Sequence, residues 1–261
     1  MRPLINQKGF TLVELLLSMV FGLIVLAGVT TIYVSVVSSS GSTLKESKLS
    51  TQLMTIMSVM TNDIRRAGYW GTFTETPSSN PFSVPNDSAL AVFNSISANT
   101  VVAENSNVDG ECIIFAYDAD NDGELDSDSE FFGYRKNGSV IEMRTTGTVA
   151  NADSCNENDG DWEEISDSEL YSITRLSFNP QNSECVNTRE PDEIDNDGAN
   201  GVDDNGEIDC YAQTPTVGSG DTTVETREII ITLAATLNSD SEVTYTIQQS
   251  IKVRNDMVRV R

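Results

Sequence analysis

Residues 8–14 read Lys8-Gly9-Phe10-Thr11-Leu12-Val13-Glu14, and an apolar run from Leu15 to Val37 follows at once. A short basic leader stops at Gly9, an aromatic residue opens the apolar run, and one acid stands near its start. Between Phe10 and Leu44 that acid, Glu14, is the only charged side chain. The run is long enough to cross a bilayer as one helix, which takes about 20 apolar residues. Arg2 and Lys8 precede it and no base follows until Lys45. The positive charge on the short side places the N-terminus in the cytoplasm and exports the rest.

An ordinary secretory signal would be cut after its apolar region, among small residues. That reading, like a plain single-span anchor, gives Glu14 no role. A carboxylate in a membrane helix costs about 2.5–3.5 kcal/mol even on the lenient scales, so it marks a function and calls for a partner.

Helical periodicity continues past the span. Leu49, Leu53, Ile56, Met60, Ile64 and Ala67 recur at steps of three and four, which puts them on one face. Lys45, Glu46, Lys48, Gln52, Asn62 and Arg65 lie mostly off that stripe. Gly68 suits a helix end. From Phe10 to Gly68 one helix would run about 88 Å. Its stripe is expected to be the seam against a following globular head.

The head is strongly acidic. The chain has 16 basic and 40 acidic residues, a formal charge of −24, and loss of Arg2 and Lys8 with a leader would take it to −26. Such a surface repels phosphates, so no direct nucleic acid binding is expected. There is no histidine, which excludes His-based triads and His metal sites. No pair of acids is singled out for acid–base work, and Gly218-Ser219-Gly220-Asp221 lacks the Lys-Ser/Thr of a phosphate loop. The chain reads as a non-enzyme. Four cysteines, Cys112, Cys155, Cys185 and Cys210, all lie in the exported part, where disulfides persist. Three connectivities are open. Cys112–Cys155 with Cys185–Cys210 is favoured, because each closes one local insertion.

Strand-like runs follow at residues 112–117, 130–135, 139–144, 172–178, 227–233 and 242–255. Asn137-Gly138 is a two-residue hairpin signal, and residues 89–93 form a shorter apolar piece. The sum is an α+β fold: a long N-terminal helix, half membrane and half amphipathic, packed on a mainly antiparallel β-sheet head with acidic loop insertions. The expected division is a leader at 1–9, a membrane half at 10–37, an amphipathic half at 38–68 and an exported head at 69–261.

Two loops carry a calcium pattern, with acids at alternate positions and glycine at the sixth. In the first, Asp118, Asp120 and Asp122 are the acids and Gly123 the turn. Glu124 would offer its carbonyl and Asp126 would bind directly or through water, while Glu130 falls one place late for bidentate closure. In the second, counting from Glu193, the acids are Glu193, Asp195, Asp197 and Asp204. Calcium is the expected cofactor, in a structural role.

The Gly9-Phe10 step with Glu14 resembles the type IV prepilin signal. The run Asp63-Ile64-Arg65-Arg66-Ala67-Gly68-Tyr69-Trp70-Gly71 is similar to a segment of PilW-type minor pilins. The strand order closing on Val253-Arg254-Asn255 also resembles the J-type pseudopilins of type II secretion. The resemblance implies cleavage between Gly9 and Phe10 by a prepilin peptidase, methylation of the new Phe10 amine, and pairing of Glu14 with such an amine on a neighbouring subunit. It implies other minor pilins and the major pilin as partners. It also implies residence in the inner membrane with a periplasmic head, then the pilus. The role would be to prime or cap pilus assembly. A J-type pseudopilin and a calcium-dependent pilus-tip adhesin stand as alternatives. Tyr69 and Trp70 are expected to anchor the first loop on the head, and Arg65 and Arg66 to pair with its acids.

Overall fold

The computed structural model describes residues 9–72, 74–126, 129–147, 154–156, 160–195, 198 and 201–261. The first element, α1, is a 53-residue helix, Leu12–Ile64. Its hydroxyl side chains fold back onto the helix: Ser18, Thr30, Thr31, Ser42 and Thr43 each donate to a carbonyl three or four residues earlier. That leaves an apolar exterior from Phe10 to Val37, exposed on all sides in this chain. The helix is long and apolar enough to cross a membrane.

The chain divides into two compact units, one ending at Lys48 and one running Leu49–Arg261. Within the second unit, the last turns of α1 bury the expected stripe, with Met57 added to it. The helix proper stops at Ile64, before the Gly68 expected from the sequence. A turn carries the chain on to Gly68, whose φ of +69° is the left-handed conformation glycine tolerates. Gly68 N–H then donates to Ala116 O, and the Asn255 side chain donates to Ala67 O. Of the last helix carbonyls, those of Thr61, Asp63 and Ile64 accept from the N–H groups of Arg65, Arg66 and Ala67.

All the strand pairs of the head are antiparallel. A five-stranded meander runs in sequence order: β1 (Ala91–Phe93), β2 (Cys112–Ala116), β3 (Phe131–Asn137), β4 (Val140–Arg144) and β5 (Trp162–Glu164). Two three-stranded sheets share the later strands β6 (Tyr171–Asn179), β7 (Glu184–Asn187), β8 (Thr222–Thr226), β9 (Glu228–Leu237), β10 (Asp240–Lys252) and β11 (Met257–Val260). Their orders are β10-β9-β6 and β11-β8-β7. The β3–β4 hairpin turns one residue later than expected. Asn137 pairs with Val140, and Gly138-Ser139 form the loop, with Gly138 at φ +57°.

One core joins helix and sheets. Leu49, Leu53, Met57, Met60 and Ile64 pack with Ile113, Phe115, Tyr134, Leu176, Phe178, Ile229, Ile231 and Leu233. Full burial of each such aliphatic side chain contributes about 1.5–3 kcal/mol. A polar pin crosses the seam: Tyr134 OH donates to Asp63 Oδ2 at 2.5 Å. Burial first, and then the Asp63 charge, push the Tyr134 phenol upward, so it stays a donor.

Candidate functional site

Three places in this chain carry chemistry: the start of α1, the acidic loops, and the arginines around them. Gly9 and Phe10 precede the helix without regular structure, with Phe10 87% exposed. Thr11 and Glu14 then cap the helix reciprocally. Glu14 N–H donates to Thr11 Oγ1 at 3.2 Å, while Thr11 N–H and Oγ1 donate to Glu14 Oε2 at 3.1 and 3.0 Å. This is a capping box, a Thr with a Glu three places on. Its sequence signal is Thr11-x-x-Glu14, which the membrane argument for Glu14 does not draw on. Within its own chain Glu14 already has a task.

The first acidic loop is tied to the segment after α1. Trp70 Nε1 donates to Gly123 O at 2.9 Å, Tyr69 OH to Asn121 Oδ1 at 2.7 Å, and Gly71 N–H to Asp118 Oδ2 at 2.8 Å. Asp118 is buried and also accepts from the N–H groups of Asn121 and Gly123. Gly123 has φ +85°, and a Cβ there would lie 2.0 Å from Thr72 Oγ1, so glycine is required. Carboxylate oxygens of Asp118, Asp120 and Asp122 lie within 4.8 Å of one another. None of the three makes an ion pair among the described residues. Three converging carboxylates without a cation are a donor set suited to a hard ion such as calcium.

Glu130 and Asp126 stand outside that group. Glu130 lies buried beneath the loop and accepts from Ala119 N–H and Asp126 N–H, both at 2.8 Å. Burial raises its pKa, with Asp118 and Asp120 adding to the rise against the two backbone donors. The Glu124 side chain is exposed, and its N–H donates to Asp122 Oδ1.

Of the acids expected in the second loop, Asp197 lies outside the described residues, and another group comes together among those that are described. Glu190, Asp192 and Asp203 bring carboxylate oxygens within 4.8 Å. Asp203 Oδ1 accepts from Asp192 N–H and Glu193 N–H, which folds residue 203 back onto the loop's start. Asp204 caps the single-turn helix α2 (Asn205–Ile208) in a capping box with Glu207. Asp195 Oδ1 accepts from Gly198 N–H. Both favoured disulfides are present, Cys112–Cys155 and Cys185–Cys210.

The arginines correct one expectation. Among the described residues neither Arg65 nor Arg66 pairs with an acid. Arg66 lies over the Tyr117 ring, 4.0 Å from its centre, and donates to Tyr117 OH. The deep ion cluster is elsewhere and was not foreseen. Arg227, Arg259 and Arg261 all approach the buried Glu225 of β8, at 3.0, 3.1 and 3.6 Å. Burial lowers the pKa of Arg259, while Glu225 opposes that and Arg227 and Arg261 add to it.

Residues 42–253 match the family described as prepilin peptidase-dependent protein B, and residues 4–30 match the prokaryotic N-terminal methylation motif. The chain belongs to the prepilin peptidase-dependent protein B family. No curated protein and no solved structure matches it. Membership makes this a minor type IV pilin-like protein, a structural class whose processing depends on the prepilin peptidase. The methylation motif and the long apolar helix point to membrane anchoring of the head.

Proposed function

We propose that this chain is a PilW-type minor pilin, cut between Gly9 and Phe10 and methylated on the new amine. It waits in the inner membrane with its head in the periplasm. It then joins other minor pilins, and beneath them the major pilin, in the complex that primes or caps a pilus. The observation that carries this reading is Glu14: a lone carboxylate one helical turn from the Phe10 nitrogen, on a helix otherwise apolar to Leu44. A charge-assisted bond from a neighbour's Phe10 amine would fix register as the subunit enters.

The test has two parts. Mass spectrometry of the purified protein should show a chain starting at Phe10 and carrying one added methyl group; an intact Met1 rules the reading out. Glu14→Ala should leave cleavage unchanged yet remove the subunit from sheared pili and abolish twitching. Normal piliation with exoproteins retained in the periplasm would point to a J-type pseudopilin.

For the head, calcium is proposed as a structural ion held by Asp118, Asp120 and Asp122, with Glu190, Asp192 and Asp203 as a second candidate set. Such an ion would order loops that bury little apolar surface. Extracellular modules bind at about 10⁻⁴–10⁻³ M. At roughly 2 mM calcium, mass action then adds about 1–2 kcal/mol, or a rise in melting temperature of about 2–6 °C. The rise should disappear with chelator and shrink in Asp120→Asn/Asp122→Asn. A melting curve indifferent to calcium removes the ion from the account.

A further inference from the structure

We infer that the head carries a docking site for a carboxylate-rich segment of a partner protein, formed by Arg65, Arg66 and Arg254. The inference names a partner chemistry for an assembling subunit and in that respect rests on the proposed function.

Two segments far apart in sequence build the site. Arg65 and Arg66 follow the last turn of α1, and Arg254 follows β10. Arg254 N–H donates to Arg65 O at 3.1 Å, which locks the two segments together. All three side chains line one open recess of about 440 Å³, with Tyr69, Asn121 and Asn255 as neutral neighbours.

Charge is what makes the recess unusual. The chain has 40 acids against 16 bases, so a cation here has many potential partners. Yet Arg65 and Arg254 make no ion pair and no side-chain hydrogen bond among the described residues. Arg66 uses one donor on Tyr117 OH, and its stacking on that ring holds the guanidinium in place. Among the described residues, the carboxylate lining the recess is that of Asp118, which is buried and accepts from the N–H groups of Gly71, Asn121 and Gly123. Asp63, the nearest acid on the helix, accepts from Tyr134 OH. The dipole at the end of α1 favours a cation nearby, which accounts for one arginine but not for three facing one hollow.

Planar guanidinium groups match carboxylates bidentately, and their donors here are still open. A concave site the size of a few side chains suits two or three acids on a short peptide. A nucleic acid strand is disfavoured, because it would have to extend beyond the recess over a strongly acidic surface.

The full chain in detergent should be titrated with a fluorescent Gly-Glu-Glu-Gly-Glu-Glu peptide and followed by anisotropy. Saturable binding is expected despite the chain's net negative charge, weakening as salt rises. It should fall at least tenfold with the Gln counterpart of the peptide. It should fall equally in Arg65→Gln/Arg254→Gln, which leaves Arg66 on Tyr117. An unchanged unfolding midpoint for that variant, with Arg175→Gln as a control retaining full binding, excludes general damage. No saturable binding, equal binding by the double variant, or tighter binding of a thymidine hexanucleotide overturns the inference. The assay involves no pilus: correct processing at Phe10 with no peptide binding sinks this site alone. Peptide binding by a chain that keeps Met1 sinks the pilin reading instead.

Discussion

Glu225→Ala is expected to lower the unfolding free energy of the head by about 3–5 kcal/mol, the range for a buried ion pair that loses one partner. Glu225 is the fourth residue of β8, opposite Met257 on β11 and Cys185 on β7. It is 1% exposed, and among the described residues it is the acid that Arg227, Arg259 and Arg261 share. Without it Arg227, itself 5% exposed, keeps a single partner in the half-exposed Glu104. Arg259 and Arg261 retain more access to water and can turn outward, so Arg227 carries most of the penalty. Tyr211 OH also loses its acceptor. Denaturant unfolding of the full chain, followed by tryptophan fluorescence, gives the number. Glu225→Met combined with Arg227→Leu should recover most of the loss, because an apolar replacement leaves no stranded charge. A single variant that loses less than about 1 kcal/mol would show the cluster to be well hydrated instead.

Removal of the Cys112–Cys155 bridge comes next in size. It closes a loop with a sequence separation of 43. By chain entropy alone that loop is worth about 4 kcal/mol, against about 3.5 kcal/mol for the shorter Cys185–Cys210 loop. Native contacts raise the stake. Arg135 donates to Cys155 O at 2.7 Å while pairing with Glu142 and lying over Trp162, and Cys155 N–H donates to Asn99. The bridge therefore ties β2 to the segment between β4 and β5 around one arginine. Cys112→Ser/Cys155→Ser should shift the unfolding midpoint by that amount and unfold β5 first, read as early loss of Trp162 protection. Equal loss at every tryptophan would mean the bridge acts only on the unfolded chain.

What could be read from the sequence followed from strong periodicity. The α1 stripe and the strands β2, β3, β4, β6, β9 and β10 announce themselves through runs of apolar side chains. Weaker elements hid for specific reasons. The buried positions of β8 are Thr223 and Glu225, while Val224 is only partly buried, so its pattern reads inside out. β7 and β11 are four residues each. In the first acidic loop the carboxylate geometry is local, and Asp118, Asp120 and Asp122 come together within five residues of chain. In the second it depends on a return of the chain that brings Asp203 beside Glu190 and Asp192, and no short-range count contains that information. The arginine recess likewise needs residues 65 and 254 side by side.

Glu14 lies near the start of a helix long and apolar enough to cross a bilayer. Thr11 supplies donors to that carboxylate from the same chain, so a subunit stored as proposed would hold no naked acid among lipid tails. Recruitment as proposed would then exchange one set of donors for a better one, and a pool of idle protomers could persist until it happens.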